Sequence, residues 1–166
     1  FWTPDRVWIN QGNGTFNAAG PQTIRNFSFS AMGVDVSDIN RDGHKDFFVT
    51  EMLSQKHDRR LRQFTPLDPY SQKNDDIRYQ PQYNRNSLYV NRGDNTFAET
   101  AYFSGLEASG WSWATRFIDV DLDGYDDLFI NTGFTFDVQD MDAIIKLNSN
   151  GPNQAKLAEG LDSQPY

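Results

Sequence analysis

Apolar and aromatic residues in this chain come in short runs that are separated by turns rich in Asn, Asp and Gly. Arg6–Asn10 and Ser87–Asn91 are such runs, and their Trp, Tyr, Val and Ile residues favour strands. The first run is followed by Asn13-Gly14, a pair that tolerates the positive φ of a tight hairpin turn. The pattern therefore predicts β-hairpins.

Two stretches of the chain repeat at the same spacing. RVWINQGNGTF begins at Arg6 and matches SLYVNRGDNTF, which begins at Ser87. DINRDGHKDFF begins at Asp38 and matches DVDLDGYDDLF, which begins at Asp119. Both pairs are 81 positions apart without a gap, which indicates two copies of one supersecondary unit.

Each copy contains two further predicted strands. Phe29–Ser37 or Trp111–Ile118 leads into an acidic loop, and Asp46–Glu51 or Asp127–Asn131 leaves it. Four strands per copy is the size of a propeller blade. The predicted fold class is therefore all-β, built from four-stranded antiparallel propeller blades with a helix and loop segment inserted between them.

The repeat divides the chain into four predicted segments. Residues 1–52 form a blade with an acidic loop, and residues 86–136 form a second one. Residues 53–85 are an insertion, in which SQKHDRRLRQF is compatible with a helix and is followed by a polar stretch with Pro. Residues 137–166 hold a short helix, QDMDAIIKL, and a flexible tail.

Composition excludes several classes of function. The formal charge is -8, which disfavours nucleic-acid binding, because nucleic acids bind basic faces. The sequence has no apolar run near the roughly 18 residues of a membrane span. Without cysteine there is no disulfide framework, thiolate metal site or cysteine nucleophile. We see no signal peptide, and interpret the chain as an excerpt of a longer protein.

The two acidic loops carry the candidate chemistry, in the pattern D-x-[DN]-x-D-G-x-x-D. Oxygen side chains at alternate positions converge when the backbone curls, Gly permits the sharp turn, and the next carbonyl faces inward. Such hard oxygen ligands favour Ca²⁺ over Zn²⁺ or copper. The candidate ligands, one Ca²⁺ per loop, are Asp38, Asn40, Asp42, His44 (by its carbonyl) and Asp46, then Asp119, Asp121, Asp123, Tyr125 (by its carbonyl) and Asp127.

These loops have two alternative interpretations. An EF-hand requires Glu at position 12, where these loops have Val49 and Ile130 inside predicted strands. Solvated acidic turns are the other alternative, but four crowded carboxylates in the second loop repel one another unless a cation lies between them. We expect the second loop to bind more tightly, since Asn40 replaces one carboxylate in the first.

The motifs resemble those of a known family. The N-x-G-[DN]-[GN]-T-F hairpin is Asn91–Phe97, the G-W-S-W strand is Gly110–Trp113, and the acidic loop is Asp119–Phe129. Together they are similar to the FG-GAP/VCBS repeats, the calcium-bearing blades of integrin-α-type β-propellers. The closer resemblance is to the bacterial branch akin to cartilage acidic protein and the ASPIC/UnbV proteins.

That resemblance implies a seven-bladed propeller, of which this chain holds about two blades. It also implies that the loop residues are calcium ligands. Because a propeller closes on itself, we expect flanking blades as partners, and an isolated fragment to be prone to associate. The Phe-Gly and Gly-Ala-Pro signatures of integrins are not visible, so integrin-like partner recognition is not carried over.

The predicted function is a calcium-binding repeat module for extracellular or cell-surface interaction with a protein or glycan, of the adhesion type. Its location is extracellular or in the cell envelope, because such loops work at roughly 10⁻⁴–10⁻³ M Ca²⁺. The alternative is a scaffold of a secreted carbohydrate-active enzyme, a polysaccharide lyase or hydrolase, whose active site lies on other blades. No catalytic residue is predicted, because the sequence shows no G-x-S-x-G, phosphate loop or H-E-x-x-H.

Two other features allow two interpretations each. Trp111 and Trp113 lie on one face of a predicted strand, where they either pack between blades or stack on a sugar. The basic cluster, in the first part of the insertion, either forms a solvated helix face or meets an acidic glycan. Its members are Lys56, His57, Arg59, Arg60 and Arg62.

Overall fold

The computed structural model describes residues 4–63, 80–134 and 139–149. Strands dominate these residues, and they confirm the all-β fold class, with propeller-like blades. In chain order the elements are β1 (Trp8–Asn10), β2 (Phe16–Ala18), β3 (Phe27–Ser28), β4 (Gly33–Ser37), β5 (Asp46–Thr50), α1 (His57–Arg60), β6 (Gln82–Tyr83), β7 (Ser87–Asn91), β8 (Phe97–Glu99), β9 (Ser112–Ile118), β10 (Asp127–Thr132) and α2 (Met141–Ser149).

A four-stranded antiparallel sheet in the order β4-β5-β7-β8 forms the centre of the fold. Phe48 lies opposite Leu88 across the β5–β7 pair, and Tyr89 lies opposite Glu99 across the β7–β8 pair. The first two strands come from the first repeat copy and the last two from the second. The sheet therefore straddles the two copies and pairs strands on either side of the insertion.

Two half-sheets accompany this central sheet. β9 and β10 pair with each other, with Asp127 opposite Ile118, and they repeat β4 and β5. β1 and β2 pair with Trp8 opposite Ala18, and they repeat β7 and β8. Two further strands of two residues each, β3 and β6, form a separate parallel pair. The described ranges thus contain one complete blade-type sheet and two halves of the same kind.

Apolar clusters cover both faces of the central sheet. Phe48, Leu88 and Ala101 are buried on one face, where Phe117 and Leu128 of the β9–β10 half-sheet pack against them. The second cluster lies on the other face, since strand residues alternate between faces. Its buried members are Ile24, Phe27, Val49 and Tyr89. The core is therefore largely a contact between neighbouring sheets.

The structure confirms one predicted helix, shortens the other and leaves two predicted segments largely undescribed. The helix in QDMDAIIKL is confirmed as α2. In the insertion the helix is a single turn, α1, and the polar stretch with Pro falls mainly at residues 64–79, outside the described residues. Most of the tail also lies outside them. The segment boundaries 1–52, 53–85, 86–136 and 137–166 stay a prediction.

The strand predicted at Phe29–Ser37 is shorter than expected and begins at Gly33. Phe29 instead donates its backbone N–H to the carbonyl of Tyr83, beyond the end of the β3–β6 pair. The N–H of the following residue, Ser30, donates to the side chain of Glu51. These two bonds divert the backbone before it joins the central sheet.

Glu51 is a fully buried carboxylate at the end of β5. It accepts hydrogen bonds from the Ser28 hydroxyl at 3.1 Å, the Met52 N–H at 2.8 Å and the Ser30 N–H. Burial raises the pKa of Glu51 to about 6, and these donors oppose that increase only in part. The carboxylate therefore fixes the backbone between β3 and β4 and makes this junction sensitive to pH.

We expect the free energy of unfolding to fall as pH rises from about 4.5 to about 6, because the folded chain holds this proton more tightly than the unfolded chain. The decrease is about 2 kcal/mol for this group. The side chain of the Glu51→Gln variant does not titrate. The free energy of unfolding of the metal-free variant, measured with urea, should therefore lack this decrease with pH. Parallel pH profiles for the two proteins would contradict the assignment.

Candidate metal centres

The first acidic loop connects β4 to β5 and is curled by its own carboxylates. The Asp38 carboxylate accepts the N–H of Asp42 at 3.0 Å and that of Gly43 at 2.9 Å. Asp42 in turn accepts the N–H of His44 at 2.8 Å. These bonds draw the side chains at positions 1 and 5 of the loop to its concave side.

The second loop, between β9 and β10, repeats these bonds. The Asp119 carboxylate accepts the N–H of Asp123 at 3.1 Å and that of Gly124 at 2.9 Å. Asp123 accepts the N–H of Tyr125 at 2.8 Å. The two loops therefore share one conformation, as their common spacing in the sequence predicts.

Both loops turn through left-handed backbone positions. The glycines at position 6 have φ values of 87° at Gly43 and 89° at Gly124, which L side chains rarely adopt. Position 4 is also left-handed, with φ of 59° at Arg41 and 62° at Leu122. The sequence indicated the glycines but not the position 4 residues, because Arg and Leu are uncommon in this conformation.

Carboxylate oxygens converge in the second loop. Asp119, Asp121 and Asp127 each offer one oxygen, and these atoms lie within 4.8 Å of one another. Ca²⁺ binds oxygen at about 2.3–2.6 Å, so ligands on opposite sides of the ion are about 5 Å apart. The donor type and the spacing both fit a calcium ion.

Asn40 changes the first loop. Its amide oxygen accepts the N–H of Asp42 at 3.2 Å, and its amide nitrogen donates to Asp42 at 2.9 Å. The pKa of Asp42 lies below its usual value because the His44 N–H, and then the Asn40 amide, hydrogen-bond the ionised form. The first loop thus has one carboxylate fewer than the second. In addition, the Asn40 amide nitrogen hydrogen-bonds the Asp42 carboxylate.

The aspartate at position 9 has different surroundings in the two loops. Asp46 is fully buried, and its two oxygens accept the N–H of Ile39 at 3.0 Å and the N–H of Asn91 at 2.8 Å. Asp127 is exposed and accepts the N–H of Val120 at 3.1 Å. Asn91 belongs to β7, the strand that pairs with β5. Among the described residues β10 pairs with β9 alone. No strand therefore lies beside Asp127 to donate a backbone N–H, as Asn91 does to Asp46.

The two loops also contact each other. The Arg41 guanidinium carbon lies 3.9 Å from the centre of the Tyr125 ring, and the Ser37 hydroxyl donates to Asp126. The His44 imidazole lies against Gly93 in the next hairpin. The side chains at position 7 therefore point to neighbouring loops, which leaves the backbone carbonyl as their predicted metal ligand. Both candidate centres lie on one rim of the sheets.

Trp111 and two arginines of the basic cluster contact other side chains of the protein. Trp111 is buried and stacks on Phe134, with 4.3 Å between ring centres, whereas Trp113 is 41% exposed. Arg60 pairs with Glu107 at 2.9 Å. Arg62 likewise pairs with Asp140, at 2.7 Å. Part of the basic cluster is thus neutralised by acidic side chains of the protein.

The profile of the FG-GAP-like repeat family matches residues 2–49 and 73–130, which include both acidic loops. The chain belongs to the FG-GAP-like repeat family. No curated protein and no solved structure matches it. The family resemblance is thereby confirmed, and the finer branch, cartilage acidic protein and ASPIC/UnbV, stays a prediction. Neither helix in the described part of the chain is long and apolar enough to cross a membrane.

The contact between Arg41 and Tyr125 should couple the stabilities of the two loops. A cation over an exposed ring contributes about 0.5–1 kcal/mol. In a double-mutant cycle from urea unfolding, Arg41→Ala and Tyr125→Ala should therefore show a coupling energy of that size. Tyr125→Phe keeps the ring and the contact, so its cycle with Arg41→Ala should show a coupling energy near zero. A coupling energy of zero in the alanine cycle would contradict the contact.

Proposed function

We propose that this chain is a calcium-binding β-propeller repeat module in which each acidic loop holds one structural Ca²⁺. The convergence of three carboxylate oxygens in the second loop carries the proposal. The first loop supports it, because the same hydrogen bonds recur there at the same repeat position. The alternative, that the loops are ordinary acidic turns facing solvent, explains neither their shared conformation nor the convergence of the carboxylate oxygens.

Bound Ca²⁺ would supply positive charge between carboxylates that otherwise repel one another. In the second loop Asp119, Asp121, Asp123 and Asp127 would hold it, together with the carbonyl of Tyr125. In the first loop the corresponding residues are Asp38, Asn40, Asp42, Asp46 and the carbonyl of His44. Hydrogen bonds from backbone N–H groups to these carboxylates keep the loops curled. The ligands are therefore partly arranged before the ion binds.

The module serves protein or glycan interaction at the cell surface or outside the cell, of the adhesion type, and has no catalytic residue of its own. Further blades of the same repeat complete the propeller. Structural calcium loops suit this setting, because weak sites are filled at extracellular calcium concentrations. The carboxylates with regular spacing are committed to the metal, which leaves none of them as an acid or base pair.

A second candidate function is the scaffold of a secreted carbohydrate-active enzyme whose active site lies on other blades. The exposed Trp113 ring favours it, since aromatic faces stack on sugars and this ring lies 6.0 Å from Trp111. A glycan array with the full-length protein, with and without EDTA, discriminates between the two. Calcium-dependent turnover supports the enzyme, whereas binding without turnover supports the adhesion module.

Calcium should stabilise the folded chain. A ligand at ten times its Kd adds about 1.4 kcal/mol per site, so the melting temperature should rise on titration with Ca²⁺ and return with EDTA. By calorimetry, Asp123→Ala should remove the tighter binding step and Asp38→Ala the weaker one. Asp58→Ala removes an exposed carboxylate outside the loops and serves as the control, which should bind as the unsubstituted chain does.

Two results would count against these statements. A melting temperature that ignores millimolar Ca²⁺ in the unsubstituted chain contradicts structural calcium binding. Equal losses of affinity in Asp38→Ala and Asp123→Ala contradict the ranking of the two sites but leave calcium binding intact.

A further inference from the structure

A pocket of about 640 Å³ lies at the end of the central sheet that is opposite the first acidic loop. That loop precedes β5, whereas Leu53 follows β5, Arg85 precedes β7 and Tyr102 follows β8, and these three residues line the pocket. Adjacent strands of the sheet are antiparallel, so all three lie at the same end. Small-molecule sites have volumes of about 300–1,000 Å³. The pocket is therefore large enough for a ligand and separate from the first candidate metal centre.

The lining of this pocket is basic, although the chain as a whole is acidic. Arg25, Arg60 and Arg85 line it, and none of its described lining residues is Asp or Glu. Arg60 pairs with Glu107, and Arg85 pairs with Glu99. Arg25 is exposed and has no ion pair among the described residues. A concave surface lined by charges of one sign attracts ligands of the opposite sign, so the pocket favours an anion.

Two of these arginines are held in place by contacts within the protein. Arg60 donates Nε to the Ser54 carbonyl at 2.6 Å and Nη2 to Glu107 at 2.9 Å, which leaves Nη1 without an acceptor among the bonds described. Arg85 is 11% exposed, and its guanidinium carbon lies 4.8 Å from the centre of the Tyr102 ring. Side chains that are already fixed lose little conformational freedom when a ligand binds. The pocket is thus largely formed in advance.

The parallel pair β3 and β6 brings a third segment to the pocket. The Phe27 N–H donates to the Pro81 carbonyl at 2.9 Å, and this bond holds the neighbouring Arg25 and Asn26 at the pocket wall. The side-chain nitrogen of Asn26 is buried and has no acceptor among the described residues. Buried polar groups are normally hydrogen-bonded. An oxygen atom of a ligand would supply the acceptor that this nitrogen lacks.

The pocket also has aromatic faces and side-chain amides. Tyr83 is 38% exposed and Tyr102 is 62% exposed. Aromatic faces stack on sugar rings, and the amides of Asn26 and Asn84 suit sugar hydroxyl groups. A small inorganic anion would use the arginines but not these groups. The combination therefore favours an anionic group that is carried on a sugar.

The balance of charge indicates how much negative charge the ligand carries. Three lining arginines against their two paired glutamates leave one positive charge. A carboxylate or a sulfate ester carries one negative charge, whereas a phosphorylated side chain carries about 1.5 to 2 at pH 7. The planar fork of arginine matches the oxygen geometry of a carboxylate. These charges favour an acidic sugar over a phosphorylated peptide.

We propose that this pocket binds an acidic sugar, whose ring carries one carboxylate or one sulfate ester. The anionic group lies between Arg25 and Arg60, and the sugar ring stacks on Tyr102. The proposal names a ligand for the protein or glycan interaction proposed above and rests on that role. It requires no calcium ion in the acidic loops.

Calorimetric titration of the chain with a tetrasaccharide of alternating glucuronate and N-acetylglucosamine tests the class of ligand. Binding should saturate and should weaken as the salt concentration rises, because the interaction is between charges. The same tetrasaccharide with its carboxyl groups reduced to alcohols should bind about tenfold more weakly or less. A sulfate ester on the reduced sugar distinguishes the two anionic groups: recovered binding means that either group is accepted, and no recovery restricts the site to carboxylates.

Substitutions test the position of the ligand. Arg25→Gln should weaken binding about tenfold and leave the melting temperature unchanged, because it removes a charged donor that has no ion pair among the described residues. Arg116→Gln is the matched control, since it makes the same change of charge at an arginine that is 77% exposed and does not line the pocket. It should bind as the unsubstituted chain does. Tyr102→Ala should weaken binding about fivefold through the lost ring.

Three results would overturn the proposal. The first is equal affinity for the glucuronate tetrasaccharide and its carboxyl-reduced form. The second is an equal effect of Arg25→Gln and Arg116→Gln. The third is binding of a phosphoserine peptide without binding of either acidic sugar, because the pocket would then take a peptide partner.

The same titrations in Ca²⁺ and in EDTA separate this proposal from calcium binding. Sugar binding that depends on Arg25, in a chain whose melting temperature ignores Ca²⁺, supports the pocket and contradicts structural calcium. A chain that Ca²⁺ stabilises but that binds neither acidic sugar overturns the pocket and leaves the calcium proposal intact.

Discussion

The buried carboxylate of Asp46, at position 9 of the first acidic loop, holds both that loop and the neighbouring strand. Asp46 lies at the start of β5, where one carboxylate oxygen holds the acidic loop through the Ile39 N–H. The other oxygen holds the neighbouring strand through the Asn91 N–H. A fully buried carboxylate requires such donors, because an unpaired buried charge costs several kcal/mol. The same side chain thereby joins loop conformation to strand pairing.

This double role explains why the repeats depend on one another. Asp127 has the same place in the second loop, yet it is exposed because β10 pairs in the described residues with β9 alone and no strand lies on its other edge. The apolar core follows the same rule, since Phe48 is buried by the next half-sheet and Phe129 is exposed without one. In repeat architectures of this kind, stability resides largely in contacts between neighbours. A single unit cannot bury its own faces.

Sequence alone predicted the antiparallel strands of the two repeat copies, the two equivalent loops and α2, because short apolar runs, a Gly at a fixed position and an exact spacing are local signals. It did not predict the parallel pair β3 and β6. It grouped the four strands of each copy into one blade, whereas the central sheet takes two strands from each copy. A repeat of 81 residues has no intrinsic starting point, and the β5–β7 pairing spans the insertion. Nor did it predict the burial of Glu51, whose donors come from a distant segment around Ser28.

The two proposed calcium loops differ in two properties that set calcium affinity, ligand charge and ligand rigidity. The second loop has four carboxylates, but Asp127, its proposed closing ligand, is exposed and accepts a hydrogen bond from Val120 alone among the bonds described. The first loop has the neutral Asn40, but both oxygens of Asp46, its proposed closing ligand, accept backbone hydrogen bonds. A strand on the other edge of β10, away from β9, could donate a backbone N–H to Asp127, as Asn91 does to Asp46. Asp127 would then be held as rigidly as Asp46. By linkage, the proposed calcium ion in the second loop and a strand on the free edge of β10 would then strengthen each other's binding by the same factor.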